Sequence, residues 1–168
     1  SCVMVIDCTK GVEAQTHKLM NVCRMRATPI ITFINKLDRE GKEPIDLLDE
    51  IESKLKIKVC PVTWPIGMGK TFKGIYSILS KKIHLFQKST ETEEAIYSLT
   101  DLKENKLANV ITEEEKRKLE EELELIQGIY DTFSKNDYLQ GKVTPIFFGS
   151  AINNFGVKLL LNGFTDFS

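Results

Sequence analysis

The sequence predicts an α/β fold: a doubly wound parallel sheet carrying an inserted, smaller α+β subdomain. Three observations support this. Short apolar runs at residues 2–6, 29–34 and 143–148 suit parallel strands buried on both faces. Amphipathic stretches follow the first two runs and give the alternation of a βαβ unit. Between about 58 and 142 that alternation breaks into proline-marked extended segments, a polar stretch and one long helical pattern.

Taken in order, residues 2–6 form the first strand and Asp7-Cys8-Thr9-Lys10-Gly11 the turn that ends it. A helix from about Glu13 to Arg26 places Leu19, Met20 and Cys23 on one face. Pro29 opens the second strand. Pro44 suits the first turn of a helix reaching about Lys56, with Ile45, Leu48, Ile51 and Leu55 as its apolar stripe. Residues 58–65 read as one extended segment with edge-type prolines. Loosely alternating apolar positions from Phe72 to Phe86 indicate a hairpin or meander, with Tyr76, Leu79, Ile83, Leu85 and Phe86 in the subdomain core. Residues 87–111 are polar and weakly patterned, with turn-like steps at Glu104-Asn105-Lys106 and Ala108-Asn109.

Thr112-Glu113-Glu114-Glu115 is a capping box. It launches a helix with Leu119, Leu123, Ile126, Tyr130 and Phe133 at three- and four-residue spacing, its charges forming a solvated face. A linker around Lys142 leads to the third core strand at 143–148, which Gly149-Ser150-Ala151 ends, and residues 157–167 form a closing helix. The expected division is therefore 1–57 and 143–168 for the main sheet, with 58–142 inserted.

The chemistry concentrates where the second strand ends, in Asn35-Lys36-Leu37-Asp38. Open α/β sheets bind ligands at the carboxyl ends of their strands. Asp38 can accept two hydrogen bonds, and guanine offers a matching pair, its ring N–H and its exocyclic amine. Adenine has an acceptor at that ring nitrogen and would leave a desolvated carboxylate facing a lone pair. Asn35 can donate to the base edge and tie neighbouring loops together. The Lys36 stem can lie along the base plane with its ammonium in water. At the third strand end, the backbone N–H groups of Ser150 and Ala151 are expected to reach the guanine carbonyl oxygen. Together these five residues form the candidate nucleotide site.

Gly67-Met68-Gly69-Lys70-Thr71 invites a phosphate-loop reading. That pattern needs a glycine where Trp64 stands, with a strand before it and a helix after it. A turn is the better reading. His17 and His84 lack ligand-spaced partners, so no metal ligands are assigned.

At 168 residues, with 42% hydrophobic and 28% charged residues, the chain has the composition of an ordinary globular protein. A net charge of −1 argues against a broad nucleic-acid-binding face. No apolar run suits a membrane span, and the four cysteines read as reduced core residues, so a cytoplasmic setting is expected. Ser1 leads directly into a strand without an initiator Met, which reads as a piece of a longer protein.

These residues resemble the translational GTPases. Residues 5–16 are similar to the stretch after their second phosphate-contacting motif. Residues 33–40 resemble their guanine-specificity motif, and Gly149-Ser150-Ala151 their last nucleotide motif. Finer similarity lies in Pro61-Val62-Thr63-Trp64-Pro65-Ile66-Gly67, in residues 72–76, in 144–151 and in 154–157. It points to the branch acting in translation termination, with the elongation branch a looser match.

The resemblance implies the C-terminal half of a P-loop GTPase-type domain, incomplete as a nucleotide site. It implies GTP or GDP as ligand, with Mg2+ in the full-length protein, and the ribosome and decoding release factors as partners of that protein. The phosphate loop, magnesium switch and catalytic groups of the family have no counterpart in these residues, so the piece alone is expected not to hydrolyse GTP. The strand at 2–6 is expected to present an open apolar edge prone to self-association. A reading from a different class is a non-catalytic interaction module whose 58–142 insertion binds a partner.

Overall fold

The chain runs β1 (Cys2–Asp7), α1 (Ala14–Met25), β2 (Ile30–Asn35), α2 (Pro44–Leu55) and β3 (Lys58–Pro61). It then enters β4 (Thr63–Ile66), a 3-10 turn at Gly69–Thr71, β5 (Gly74–Ser77), β6 (Lys82–Leu85) and β7 (Ala95–Ser98). It returns through α3 (Glu113–Ile129), the short α4 (Lys135–Leu139), β8 (Val143–Phe148) and α5 (Val157–Phe167). The computed structural model describes residues 1–86, 95–98 and 107–168. The expected turn at 104–106 lies outside them, whereas Ala108 and Asn109 do fall in a turn.

β1, β2, β8 and β3 form an all-parallel sheet in that order, and β4 to β7 form a separate antiparallel sheet in sequence order. The first five residues of β2 are all buried. Successive strand residues point to opposite faces, so a continuous apolar run requires cover on both sides. Ile30, Ile34, Ile146 and Phe148 join one core with Met20 and Cys23 of α1 and Leu48 and Ile51 of α2. Ile31, Phe33 and Phe147 face the other way, against Tyr138 of α4 and Leu160 and Phe167 of α5. The parallel sheet is doubly wound, as the sequence predicts.

Segment 58–65 is not one strand. It divides at Val62, whose N–H donates to the Ile146 carbonyl at 2.9 Å while its own carbonyl accepts from Ile78 N–H at 2.9 Å. Residues 58–61 therefore belong to the parallel sheet, and the chain leaves it only at Thr63. Pro61 and Pro65 both sit on outer strands, where a missing N–H breaks no interior ladder.

Leu19, expected to be buried beside Met20, is 51% exposed. Helix neighbours at i and i+1 do not share a face, and the buried pair is Met20 and Cys23, three residues apart. Leu79 is likewise exposed, because it lies in the turn joining β5 to β6. β7 was hidden in the polar stretch, since four residues are too few for alternation to register. The long helix ends at Ile129, short of the expected Tyr130 and Phe133, and the short α4 precedes the linker around Lys142: the Ser134 hydroxyl accepts from Asp137 N–H at 3.3 Å, and Tyr138 is fully buried.

α2 begins with Pro44 in its first turn, as expected. α3 begins with the capping box. Glu115 N–H donates to Thr112 Oγ1 at 3.2 Å, and Thr112 N–H donates to Glu115 Oε2 at 2.8 Å. Glu115 also holds Lys73 at 2.6 Å, which ties the helix start to the antiparallel sheet. Thr112→Ala should lower stability by about 1 kcal/mol, read as a lower urea midpoint at unchanged slope.

Candidate functional site

The site lies at the carboxyl ends of β1, β2 and β8. Asp7 and Asn35 are partners in the β1–β2 register, and β8 runs directly into Gly149. Past Asn35 the chain turns sharply, with Lys36 in the left-handed region at φ 71°. Three anchors hold that turn. Cys8 N–H donates to the Asn35 carbonyl at 3.0 Å, the Cys8 thiol to the Lys36 carbonyl at 3.1 Å, and Leu37 N–H to the Gly149 carbonyl at 3.2 Å. Leu37 itself is fully buried. The apolar third residue of the tetrad is thus the peg that leaves Lys36 and Asp38 partly exposed.

The second loop folds back on itself. Ser150 N–H donates to the Phe155 carbonyl and Phe155 N–H to the Ser150 carbonyl, each at 3.0 Å. Gly149 is required by close approach, because a Cβ there would lie 2.5 Å from the Phe155 carbonyl oxygen and 2.8 Å from the Phe33 ring.

Side chains join the two loops. The Ser150 hydroxyl donates to Asp38 Oδ1 at 2.5 Å and accepts from the Asn153 amide at 2.8 Å. Asn35 Oδ1 accepts from Lys36 N–H at 2.8 Å and from Ala151 N–H at 2.9 Å. Three of the five predicted site residues, Lys36, Ser150 and Ala151, act differently in detail from the sequence reading. The Ser150 N–H closes the loop on Phe155, and Ser150 instead orients Asp38 through its hydroxyl. The Ala151 N–H is held by Asn35, which performs the loop-tying role expected of it. The Lys36 ammonium, expected in water, pairs with Asp7 Oδ2 at 2.6 Å.

Asp7 and Asn153 were not among the predicted site residues. Asp7 carried a usable signal, a carboxylate at the carboxyl end of a parallel strand beside the tetrad's strand. Asn153 carried none, because only the folded loop brings it to Ser150.

Burial works against the charged form of Asp7. Hydrogen bonds from Lys36 and Thr9 outweigh it and hold the carboxyl at about 2, below its ordinary 3.8. Burial, reinforced by the nearby Asp7 and Asp38 carboxylates, pushes the Cys8 thiol up to about 11, so it stays protonated and donates. A carboxylate with a lowered folded pKa stabilises the fold above its unfolded value, and that contribution is lost as pH falls through the folded one. Asp7 should therefore contribute at most roughly 2 kcal/mol, less for screening at the exposed Lys36 ammonium. The loss falls between about pH 4 and pH 2. Urea midpoints measured across that window should drop, and Asp7→Asn should flatten this part of the profile.

Among the described residues no group of His, Cys, Asp or Glu is placed to hold a metal ion, and no helix is long and apolar enough to cross a membrane. The Gly69-Lys70-Thr71 stretch is a three-residue 3-10 turn between two antiparallel strands, which is the turn expected of it.

A doubly wound parallel sheet with an inserted antiparallel sheet, its strand ends carrying an oriented carboxylate and two cross-tied loops, is the architecture of a GTPase-type α/β domain. The chain matches the elongation factor Tu GTP binding domain family over residues 1–167. It belongs to that family of translational GTPases, whose members bind guanine nucleotide.

Proposed function

We propose that this chain carries the guanine recognition of a ribosome-dependent GTPase of the peptide chain release factor 3 type. Such a protein acts in the cytoplasm during termination and promotes departure of the decoding release factors. The observation that carries the base assignment is the Asp38 carboxylate, fixed at the strand end by Ser150 with acceptor capacity left for a ligand. In this reading Asp38 takes the ring N–H and exocyclic amine of guanine. Ser150 and Asn153 fix its angle, and Asn35 clamps the second loop through Ala151. The Lys36 stem covers the base face while its ammonium rests on Asp7.

Bound GTP would supply the hydrolysable phosphate bond, with Mg2+ neutralising its phosphates. The residues here serve the base, and we assign them no part in hydrolysis. The termination step rests on the similarity of residues 61–67, 72–76, 144–151 and 154–157 to release factor 3. Elongation factor G would share the chemistry and differ in the ribosomal step. Grafting residues 1–168 in place of the matching stretch of each protein tests this. Departure of a labelled decoding release factor should survive in the release factor 3 graft, and translocation should fail in the elongation factor G graft. The opposite pattern would move the chain to elongation.

A further inference from the structure

The antiparallel sheet grips the guanine site twice, once on each loop that builds it. On the first loop, Gly69 N–H donates to the Leu37 carbonyl at 2.8 Å, and Gly41 N–H reaches Met68 Sδ at 3.1 Å. Gly69 has φ +60°, and a Cβ there would overlap the Glu40 carboxylate, so the turn is seated directly on the segment after Asp38. On the second loop, the Phe155 ring packs edge-on against Phe72 at 5.6 Å and Phe86 at 5.3 Å. Phe72 and Phe86 stack on each other at 5.9 Å.

Phe155 is the residue whose backbone closes Ser150, and Ser150 holds Asp38. An unbroken series of contacts therefore runs from Phe72 and Phe86 through Phe155 and Ser150 to the base-reading carboxylate. A strand-end loop left to itself is among the least stable parts of a domain. Here both loops are fastened to a sheet that contributes no residue to the base site itself.

We propose that the antiparallel sheet is the brace of the guanine site, with Phe72 and Phe86 as positioning residues that set the angle of Asp38 through Phe155 and Ser150. The inference rests on the guanine reading above. It has a regulatory consequence: a partner that shifts β5 and β6 against the parallel sheet loosens Asp38 and speeds nucleotide release without touching the nucleotide.

The test compares Phe72→Leu and Phe86→Leu with Ile83→Val, a control in the core of the same sheet. Amide hydrogen exchange needs no nucleotide. Exchange at Ser150 and Phe155 should rise about tenfold in the two Phe variants while β2 amides stay within about twofold, and Ile83→Val should leave Ser150 unchanged. In parallel, GDP should dissociate about tenfold faster from the Phe variants. Their preference for GDP over IDP, which lacks the exocyclic amine, should narrow. Unchanged exchange at Ser150, or an equal rise across the sheet, overturns the brace. Wild-type chain that shows no preference for GDP over ADP overturns the guanine reading and the brace with it. Normal GDP binding in every variant overturns the brace alone.

Discussion

Asp38→Asn should lose guanine selectivity while the fold stays intact. Two hydrogen bonds to an ionised carboxylate are worth about 1.5–3 kcal/mol each, so removing both predicts a loss of about 100-fold or more in GDP affinity. The amide also places an N–H where guanine presents another. Xanthine has a carbonyl there, and it should become the preferred base. The Ser150 hydroxyl is 2.5 Å from Asp38 Oδ1 and can still donate to the amide oxygen, so the loop tie survives. Calorimetric titration of GDP and XDP into wild type and variant reads the effect directly. A variant with wild-type GDP affinity would remove Asp38 from the base site.

Trp64→Ala should be the most destabilising of the substitutions considered, at about 3–5 kcal/mol. Trp64 is fully buried and joins three elements. From β4 its ring meets Phe148 of β8 edge-on at 5.5 Å, and its indole N–H donates to Glu122 Oε2 of α3 at 2.8 Å. One residue away, the Thr63 hydroxyl accepts from Phe148 N–H at 2.8 Å, so the same point locks the two sheets together. Trp64→Phe keeps most of the packing and loses the hydrogen bond. The Glu122 side chain is partly exposed and can turn to water, so this change should cost only about 1 kcal/mol. Urea unfolding of both variants separates the packing loss from the polar one. Equal midpoints for Trp64→Ala and wild type would contradict the role of Trp64 as the joint.

Much of the fold was legible because its strands are unambiguous. A run such as Ile30-Ile31-Thr32-Phe33-Ile34 has no polar face, and that alone requires a sheet covered on both sides. Helix ends were legible where local chemistry marks them, at Pro44 and at the Thr112–Glu115 box. The division of residues 58–65 was not, because nothing local tells an edge strand of one sheet from an edge strand of the next. Only the Val62 hydrogen bonds, to residues far along the chain, make that distinction. The same limit applied to the site. Asn35, Lys36 and Asp38 were readable from their place after a buried strand. The tie of Ser150 to Asp38 spans more than a hundred residues of sequence, and the Lys36–Asp7 pair depends on β1 lying beside β2.

The central claim is that the strand ends read guanine. Calorimetric titration of GDP, GTP and ADP into the chain, with Asp38→Asn alongside, tests it most directly. Guanine nucleotides binding in clear preference to ADP, with that preference lost in the variant, is the result this account predicts. Equal binding of ADP and GDP by the wild-type chain would contradict it.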